Sequence, residues 1–350
     1  MKILHCVSSL KVGGAEKLVK NLSLSQQANG QNVSILSFGD ETDDFQQALK
    51  CSKIKIYNIV VGFLKKQYQL SKLIRQFDVI HIHSPAVIRA FLFISPLLMH
   101  KQVIYTIHGE VAPNLKGIKV SHIIARCYVN YTFAVSEQTK LKAKALFNWP
   151  VEKIIVIKNG VAISNVKIQT NNQEKLVIGT VSRLIPLKKI EDVIQCISDY
   201  GLSEKLTLKI YGDGPQRQML EALVQTTGLT NHVMFMNNVI DESKIYPELD
   251  CLIISSETEG LPMVLLEAMA SGVPCISSRV GAIPDIVTAS EGGFLYDTGN
   301  ISQLGQHLEF IYANKNILSE KGRLGQKYVA SHFSIDDIAK TYQQYYGYKA

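Results

Sequence analysis

The chain is 350 residues long, more than one hydrophobic core usually organises and a comfortable length for two domains. Apolar residues at 46% and charged residues at 19% exclude a disordered or fibrous chain and leave an ordinary globular protein. The net charge of +7 is unevenly spread: 21 Lys and Arg against 9 Asp and Glu in residues 1–165, then 16 against 21, so a basic half precedes an acidic one.

Taken in chain order, MKILHCVSSL runs straight into KVGGAEK without a cleavage-type segment, and so reads as a first buried strand rather than a leader. Strands are predicted at Lys2–Ser8, Asn32–Phe38, Lys53–Ile59, Asp78–His83, Gln102–His108, Thr132–Val135 and Lys153–Ile157. Most are continuous apolar runs, as in strands covered on both faces. Helices are predicted between them near 14–29, 64–76, 86–98, 117–130 and 137–147. Pro85 to Met99, the greasiest stretch, holds Arg89 and is too short to span a bilayer, so no transmembrane helix is expected. The six cysteines (Cys6, Cys51, Cys127, Cys196, Cys251, Cys275) show no CxxC spacing. Reduced thiols in a cytoplasmic protein are favoured over a disulfide framework or a zinc site.

Residues 159–174 are polar and aperiodic and read as a linker. The alternation then restarts with strands at Lys175–Val181, Lys205–Tyr211, His232–Met236, Cys251–Ser255, Pro274–Ser277 and Gly293–Tyr296. Helices are expected near 188–200, 215–227, 241–248, 301–313, 317–330 and 335–347. The pattern predicts an α/β protein of two Rossmann-like, doubly wound parallel-sheet domains, 1–160 and 175–332, joined by a linker at 161–174 and followed by 333–350. Ligands of such folds bind at the carboxyl ends of the strands, here in a cleft between the domains.

The stretch that stands out is EGLPMVLLEAMASG, Glu259 to Gly272. Pro262 suits the first helical position, Gly272 the left-handed cap, and Pro274 stops any continuation. The helix is too apolar for a surface, yet it carries Glu267, and a buried carboxylate costs several kcal/mol unless paired. With Glu259 before the helix and free N–H groups at its start, the pattern fits a ligand with a phosphate flanked by hydroxyls, such as a nucleotide sugar.

Weaker signals lie at other strand ends. Gly13-Gly14 opens the first helix and is either a ligand approach or a tight turn. His81 and His83 share a strand face, but no third metal ligand is evident, so packed or hydrogen-bonded histidines are favoured. His108 closes its strand where substrate is held in such folds. Arg183 and Lys188 could clamp a diphosphate or form a surface basic pair. Gly212-Asp213-Gly214-Pro215 reads first as a turn and second as a ligand approach. Asn237 to Ile240, with Asn238 and Val239, could present backbone to a base.

These residues together resemble the retaining GT-B glycosyltransferases of family 4, the glycosyltransferases group 1. The carriers are Glu259 and Glu267 in EGLPMVLLEAMASGVPCISS, SRLIPLK with Arg183 and Lys188, GDGP at 212–215 and GAIPDIV at 281–287. Gly13-Gly14, TIHG at 106–109, AVSE at 134–137 and IKNGV at 157–161 add support in the first half. The resemblance implies metal-independent, cofactor-free transfer of a hexose-type sugar from a nucleotide donor, UDP by preference, with retained configuration. The acceptor would be a hydroxyl of a cell-surface glycan or lipid-linked saccharide.

By the same resemblance, Arg183 and Lys188 hold the diphosphate, Glu259 the sugar hydroxyls and Glu267 the ribose. Gly260, Leu261, Met263 and Val264 present backbone to sugar and phosphate, and His108 contacts the sugar. Gly13 and Gly14 lie by the phosphate and acceptor, with Gly212, Asp213, Gly214, Asn238 and Val239 also lining the donor, while the last helix returns to the first domain. Three positions depart from the family pattern: Lys188-Lys189 for Lys-Gly, Asn237 for a common Gly, and Gly281-Ala282-Ile283-Pro284-Asp285 for Gly-Gly-x-Pro-Glu.

The rivals are a nucleotide-sugar epimerase or hydrolase of the same fold and a non-catalytic nucleotide-sugar binder. Nucleic acid is not expected as a partner, for want of an aromatic or helix-turn-helix platform. The basic first half, including Lys65, Lys66, Arg75, Lys116, Lys119, Arg126, Lys140, Lys142 and Lys144, is either a solvated surface or a peripheral dock on an anionic membrane.

Overall fold

The structure, a computed structural model, describes residues 1–50, 52–108, 118–147, 149–163 and 174–347. Most of the expected linker, with Cys51, Gly109 and Lys116, lies outside them. The chain forms two units, Met1–Gly160 with Ile335–Ala350, and Val161–Ser334.

The first unit runs β1 (Lys2–Val7), α1 (Gly14–Ala28), β2 (Asn32–Ser37), α2 (Asp44–Ala48), β3 (Lys55–Asn58), α3 (Phe63–Ile74), β4 (Val79–Ile82), α4 (Pro85–Ala90), α5 (Ser95–Leu98), β5 (Gln102–Ile107), α6 (Ile118–Ala125), β6 (Tyr131–Ala134), α7 (Glu137–Phe147) and β7 (Ile154–Val156). Its strands pair in parallel in the order β3-β2-β1-β4-β5-β6-β7. Alternate strand residues divide between two apolar layers, as the period of two requires. Leu4, Ile80 and Val103 join Leu73, Ile88 and Ala125 from the crossover helices. Ile3, Val79 and Ile104 join Leu18 and Leu22 of α1 and Tyr342 of the C-terminal helix.

The second unit runs β8 (Leu176–Val181), α8 (Ile190–Asp199), β9 (Leu206–Tyr211), α9 (Arg217–Thr226), β10 (Val233–Asn237), β11 (Cys251–Ile254), α10 (Met263–Ala270), β12 (Cys275–Ser278), α11 (Ile283–Ser290), β13 (Gly293–Tyr296), α12 (Ile301–Ala313) and α13 (Asn316–His332). Its parallel sheet has the order β10-β9-β8-β11-β12-β13. Then α14 (Ile335–Gly347) packs into the first unit. Ser25 Oγ donates to Asp336 Oδ1 at 2.6 Å, and Gln102 Nε2 donates to the Tyr345 carbonyl at 2.7 Å. Phe333 and Ser334 stay with the second unit, where the Val161 N–H donates to the Phe333 carbonyl at 2.8 Å.

Four expectations need correction. The helix expected near 241–248 is two 3-10 turns, Glu242–Lys244 and Tyr246–Glu248, because Pro247 cannot supply an α-helical donor. The 86–98 helix is broken into α4, a 3-10 turn at Leu92–Ile94, and α5, which holds Pro96 in its first turn. Pro262 is the capping residue before α10 rather than its first member. Neither α2 nor α11 is foreseen, although Pro284 and Asp285 in the first turn of α11 are the usual signals. No helix among the described residues is long and apolar enough to cross a membrane. All five described cysteines are free, and only Cys127 is exposed.

Candidate functional site

The predicted site residues fall into two sets, one in each unit. In the second unit the centre is the loop between β11 and α10. Its conformation is fixed from three directions. Ser255 Oγ donates to the Lys188 carbonyl at 2.7 Å, and the Glu257 N–H to the Leu187 carbonyl at 2.8 Å, tying it to the 3-10 turn Pro186–Lys188. Ser278 Oγ donates to the Ser256 carbonyl at 2.7 Å. The Ala282 N–H donates to the Gly260 carbonyl at 2.9 Å. Gly281, at φ +60°, lies so close that an added Cβ would sit 2.4 Å from the Glu259 carbonyl oxygen.

On this cradle Glu259 Oε1 accepts from Lys188 Nζ at 2.5 Å and from Ser256 Oγ at 2.7 Å. One ammonium hydrogen of Lys188 is thereby used and two remain; Oε2 of Glu259 accepts nothing among the described residues. The Arg183 side chain is exposed and makes no ion pair among them. Helix geometry leaves the N–H groups of the first turn of α10, from Met263 on, without an i−4 carbonyl. Leu261 and Met263 are buried, and Val264 is half-buried.

Glu267 is only 3% exposed, as its apolar helix predicts. Its Oε2 accepts from the buried Tyr246 hydroxyl at 2.6 Å. Burial first, then the Glu267 charge, push that phenol well above its ordinary value and keep it a donor. The partner comes from the 3-10 turn that the sequence reading takes for helix.

The GDGP glycines have a structural duty. At Gly212, φ +131°, a Cβ would stand 1.9 Å from the Ser182 carbonyl oxygen, and at Gly214 one would stand 2.4 Å from that of Leu184. The turn backs directly onto the loop that carries Arg183, and the Leu184 N–H donates to the Asp213 carbonyl at 3.0 Å. Two family departures keep a glycine-like backbone. Lys189 has φ +49° and Asn237 φ +59°. Lys189 is held by Glu257 at 3.1 Å and Glu191 at 3.8 Å, while Asn237 Oδ1 accepts from Arg217 Nη1 at 2.6 Å. Asn238 is exposed and Val239 half-buried after β10.

In the first unit Gly13 caps α1 and Gly14 begins it, with Gly13 in extended backbone that any residue adopts. His108 follows β5 and ends a chain of imidazoles. Its Nε2 meets His83 Nδ1 at 3.0 Å; His83 Nε2 meets His5 Nδ1 at 2.9 Å; and His5 Nε2 meets Gln26 Oε1 at 2.8 Å. Gln26 donates through Nε2 to the Tyr346 hydroxyl at 3.2 Å, which leaves its Oε1 to accept. Neutral rings then have one consistent arrangement: each Nε2 carries the hydrogen and each Nδ1 accepts it, so Nδ1 of His108 ends as a lone pair. That atom is buried and meets no partner among the described residues. Burial brings His5 and His108 down to about 4 and lowers His81 and His83 well below the ordinary imidazole value, so all four rings are neutral.

The sequence reading finds no third ligand beside His81 and His83. The structure supplies one: ring nitrogens of His5, His81 and His83 lie within 4.8 Å of one another. Every nitrogen of the three is already hydrogen-bonded, with His81 held by the Tyr346 hydroxyl and Thr106 Oγ1, both at 2.8 Å. The donor set is thus satisfied as a hydrogen-bonded cluster. His5, Gln26 and Tyr346 escape sequence reasoning because parallel pairing and the returning helix bring them in from distant positions.

Comparisons with known proteins bear on the family and the fold. The pattern of the family Glycosyltransferase Family 4 matches residues 12–165, and that of Glycosyl transferases group 1 matches residues 163–327. The O-antigen biosynthesis glycosyltransferase WclY of Escherichia coli is 25% identical over 99% of this chain and 98% of its own. The N-acetyl-alpha-D-glucosaminyl L-malate synthase of Bacillus anthracis is 24% identical over 77% of this chain and 74% of its own. Among solved structures, Anabaena Alr3699/HepE in complex with UDP-glucose superposes with a TM-score of 0.86 at 20% identity, over 98% of both chains.

Proposed function

The chain belongs to the group 1 glycosyltransferases of the GT-B fold, and on that footing we propose that it moves a hexose-type sugar from a UDP-sugar to a hydroxyl of a saccharide or lipid-linked acceptor, with retention and without a metal. The observation that carries the reading is the Lys188–Glu259 pair, fixed on a hydrogen-bonded cradle at the start of an apolar helix. The cations left there, the exposed Arg183 and the spare ammonium hydrogens of Lys188, suit a diphosphate. Neutralising its charge as it departs is the electrostatic part of catalysis, and it supplies what a divalent cation would otherwise do. The open oxygen of Glu259 suits a sugar hydroxyl, and buried Glu267 the ribose. UDP is preferred because the structurally similar Anabaena protein is known with UDP-glucose bound.

Under this reading Glu259 does not serve as nucleophile, since Lys188 and Ser256 hold its Oε1 and its Oε2 is given to a sugar hydroxyl. The acceptor oxygen attacks the anomeric carbon on the face that the phosphate leaves. The C–O bond to phosphate breaks as the new one forms, and the departing phosphate takes the acceptor proton. A thermal-shift screen of UDP-, GDP- and ADP-sugars, followed by NMR of the product anomer, tests the scheme. A UDP-sugar should stabilise the chain and yield a product of the donor's configuration. An inverted product sinks retention. Conversion of donor alone into an epimer or free sugar, unaffected by any acceptor, favours the epimerase or hydrolase instead.

A further inference from the structure

The chain of imidazoles ending at His108 begins at an amide, and an amide has two different ends. Gln26 of α1 accepts from His5 through Oε1 and donates through Nε2 to the Tyr346 hydroxyl of α14, which stands 2.8 Å from His81 Nδ1. Turning that amide over would set its NH2 against the His5 N–H. It can turn only if every hydrogen from His5 to His108 moves to the opposite ring nitrogen. Tyr346 and His81 would have to reverse as well, and with them the bond between His81 Nε2 and Thr106 Oγ1 at 2.8 Å. Gln26, His5 and His81 are 0% exposed and His83 is 3% exposed, so these bonds run through the core. The reversed arrangement would end on a buried His108 Nδ1–H with no acceptor among the described residues, where the present one ends on a lone pair. Orphaned buried N–H groups are rarer than orphaned acceptors, which favours the present direction.

We propose that Gln26 is a positioning residue for His108: held by Tyr346, it fixes through His5 and His83 which ring nitrogen of His108 is bare, and so keeps that imidazole an acceptor for a hydroxyl of the donor sugar. Gln26 acts wholly through the two rings between. With its pKa brought down to about 4 by burial, the His108 ring is too weak a base to take the hydroxyl hydrogen, so it orients the hydroxyl without deprotonating it. The hydroxyl rests on the nucleotide-sugar reading above; the hydrogen pattern does not.

Long-range proton–nitrogen NMR spectra of the chain with isotopically labelled histidine decide the pattern, because a bare ring nitrogen and an N–H nitrogen resonate far apart. The peaks that vanish in His108→Gln belong to His108. The ligand-free parent should show a bare Nδ1 and a protonated Nε2 there. In Gln26→Met, which has nearly the same shape, the His5 Nε2–H loses its acceptor. A stray donor costs less on half-buried His108 than on wholly buried His5, so the hydrogens should shift and His108 should show the opposite pattern. If that variant misfolds, Tyr346→Phe frees the amide to turn and should show both patterns. A folded variant that keeps the parental pattern overturns the proposal. Titration with the UDP-sugar that best stabilises the chain, and with its monodeoxyfluoro analogues, reads the consequence. Fluorine cannot donate, so at one position it should weaken parental binding about three- to tenfold, the worth of one hydrogen bond, and weaken the variant's binding distinctly less. UDP alone should bind both alike. A reversed pattern with the full fluorine penalty overturns the positioning role. A parent that ignores nucleotide sugars sinks the proposed function instead, and the ligand-free spectra still decide what Gln26 fixes.

Discussion

At the scale of residues, Arg183 and Lys188 look alike in sequence, yet the structure separates them. Arg183 is exposed and its side chain anchors nothing among the described residues, so Arg183→Ala should move the unfolding free energy by no more than about 0.5 kcal/mol. If it neutralises a leaving diphosphate, the same change should lower kcat by about 10²-fold or more. Lys188→Ala should cost activity and also about 1–3 kcal/mol of stability, because it strips the main partner from the half-buried Glu259 carboxylate. Denaturant titration beside steady-state kinetics checks the contrast. An Arg183→Ala enzyme with parental turnover removes the diphosphate role. Lys189 shows what a sequence hides: its left-handed backbone is the conformation glycine would take, and nothing in Lys-Lys announces it.

At the scale of elements, the candidate site was legible wherever its signal was local. The Glu259–Gly272 stretch declares its own helix, cap and buried acid, and the strand runs give both sheets to within a residue or two. What stayed hidden was tertiary. Tyr246 meets Glu267 from 21 residues away, and His5 meets His83 from 78, because β4 pairs beside β1 in the sheet. GDGP was legible as a turn, but its purpose was not, since only the structure shows the Ser182–Leu184 backbone filling the space of its missing side chains. Gly212→Ala should therefore act on the Arg183 loop. It has to move that backbone and take a φ of +131°, at a cost of several kcal/mol. Fitted by crystallography or NMR, the variant should show residues 182–184 displaced. A fully stable Gly212→Ala with the loop in place would return the turn to a ligand-facing duty alone.

At the scale of the molecule, the two units differ in charge and also in how acid should affect them. His5, His81, His83 and His108 all belong to the first unit, and burial holds each below the ordinary imidazole value of 6.5. In the unfolded chain the same rings take up protons as soon as the pH falls below about 6.5. The unfolded state then binds more protons than the folded one, so stability is complete above that pH and declines toward the folded values near 4. Each ring can withdraw up to about 1.4 kcal/mol per pH unit across that window. Four together amount to a steep loss in a fold that is stable by only about 5–15 kcal/mol. The chain's single tryptophan, Trp149, is 3% exposed in that unit and reports on it directly. Its thermal unfolding, followed by emission, should shift down by several degrees between pH 7 and pH 5, before most carboxylates begin to titrate. A midpoint that stays level over that interval would mean that the rings are already charged in the fold. The chain of neutral donors ending on the His108 lone pair would then fail with it.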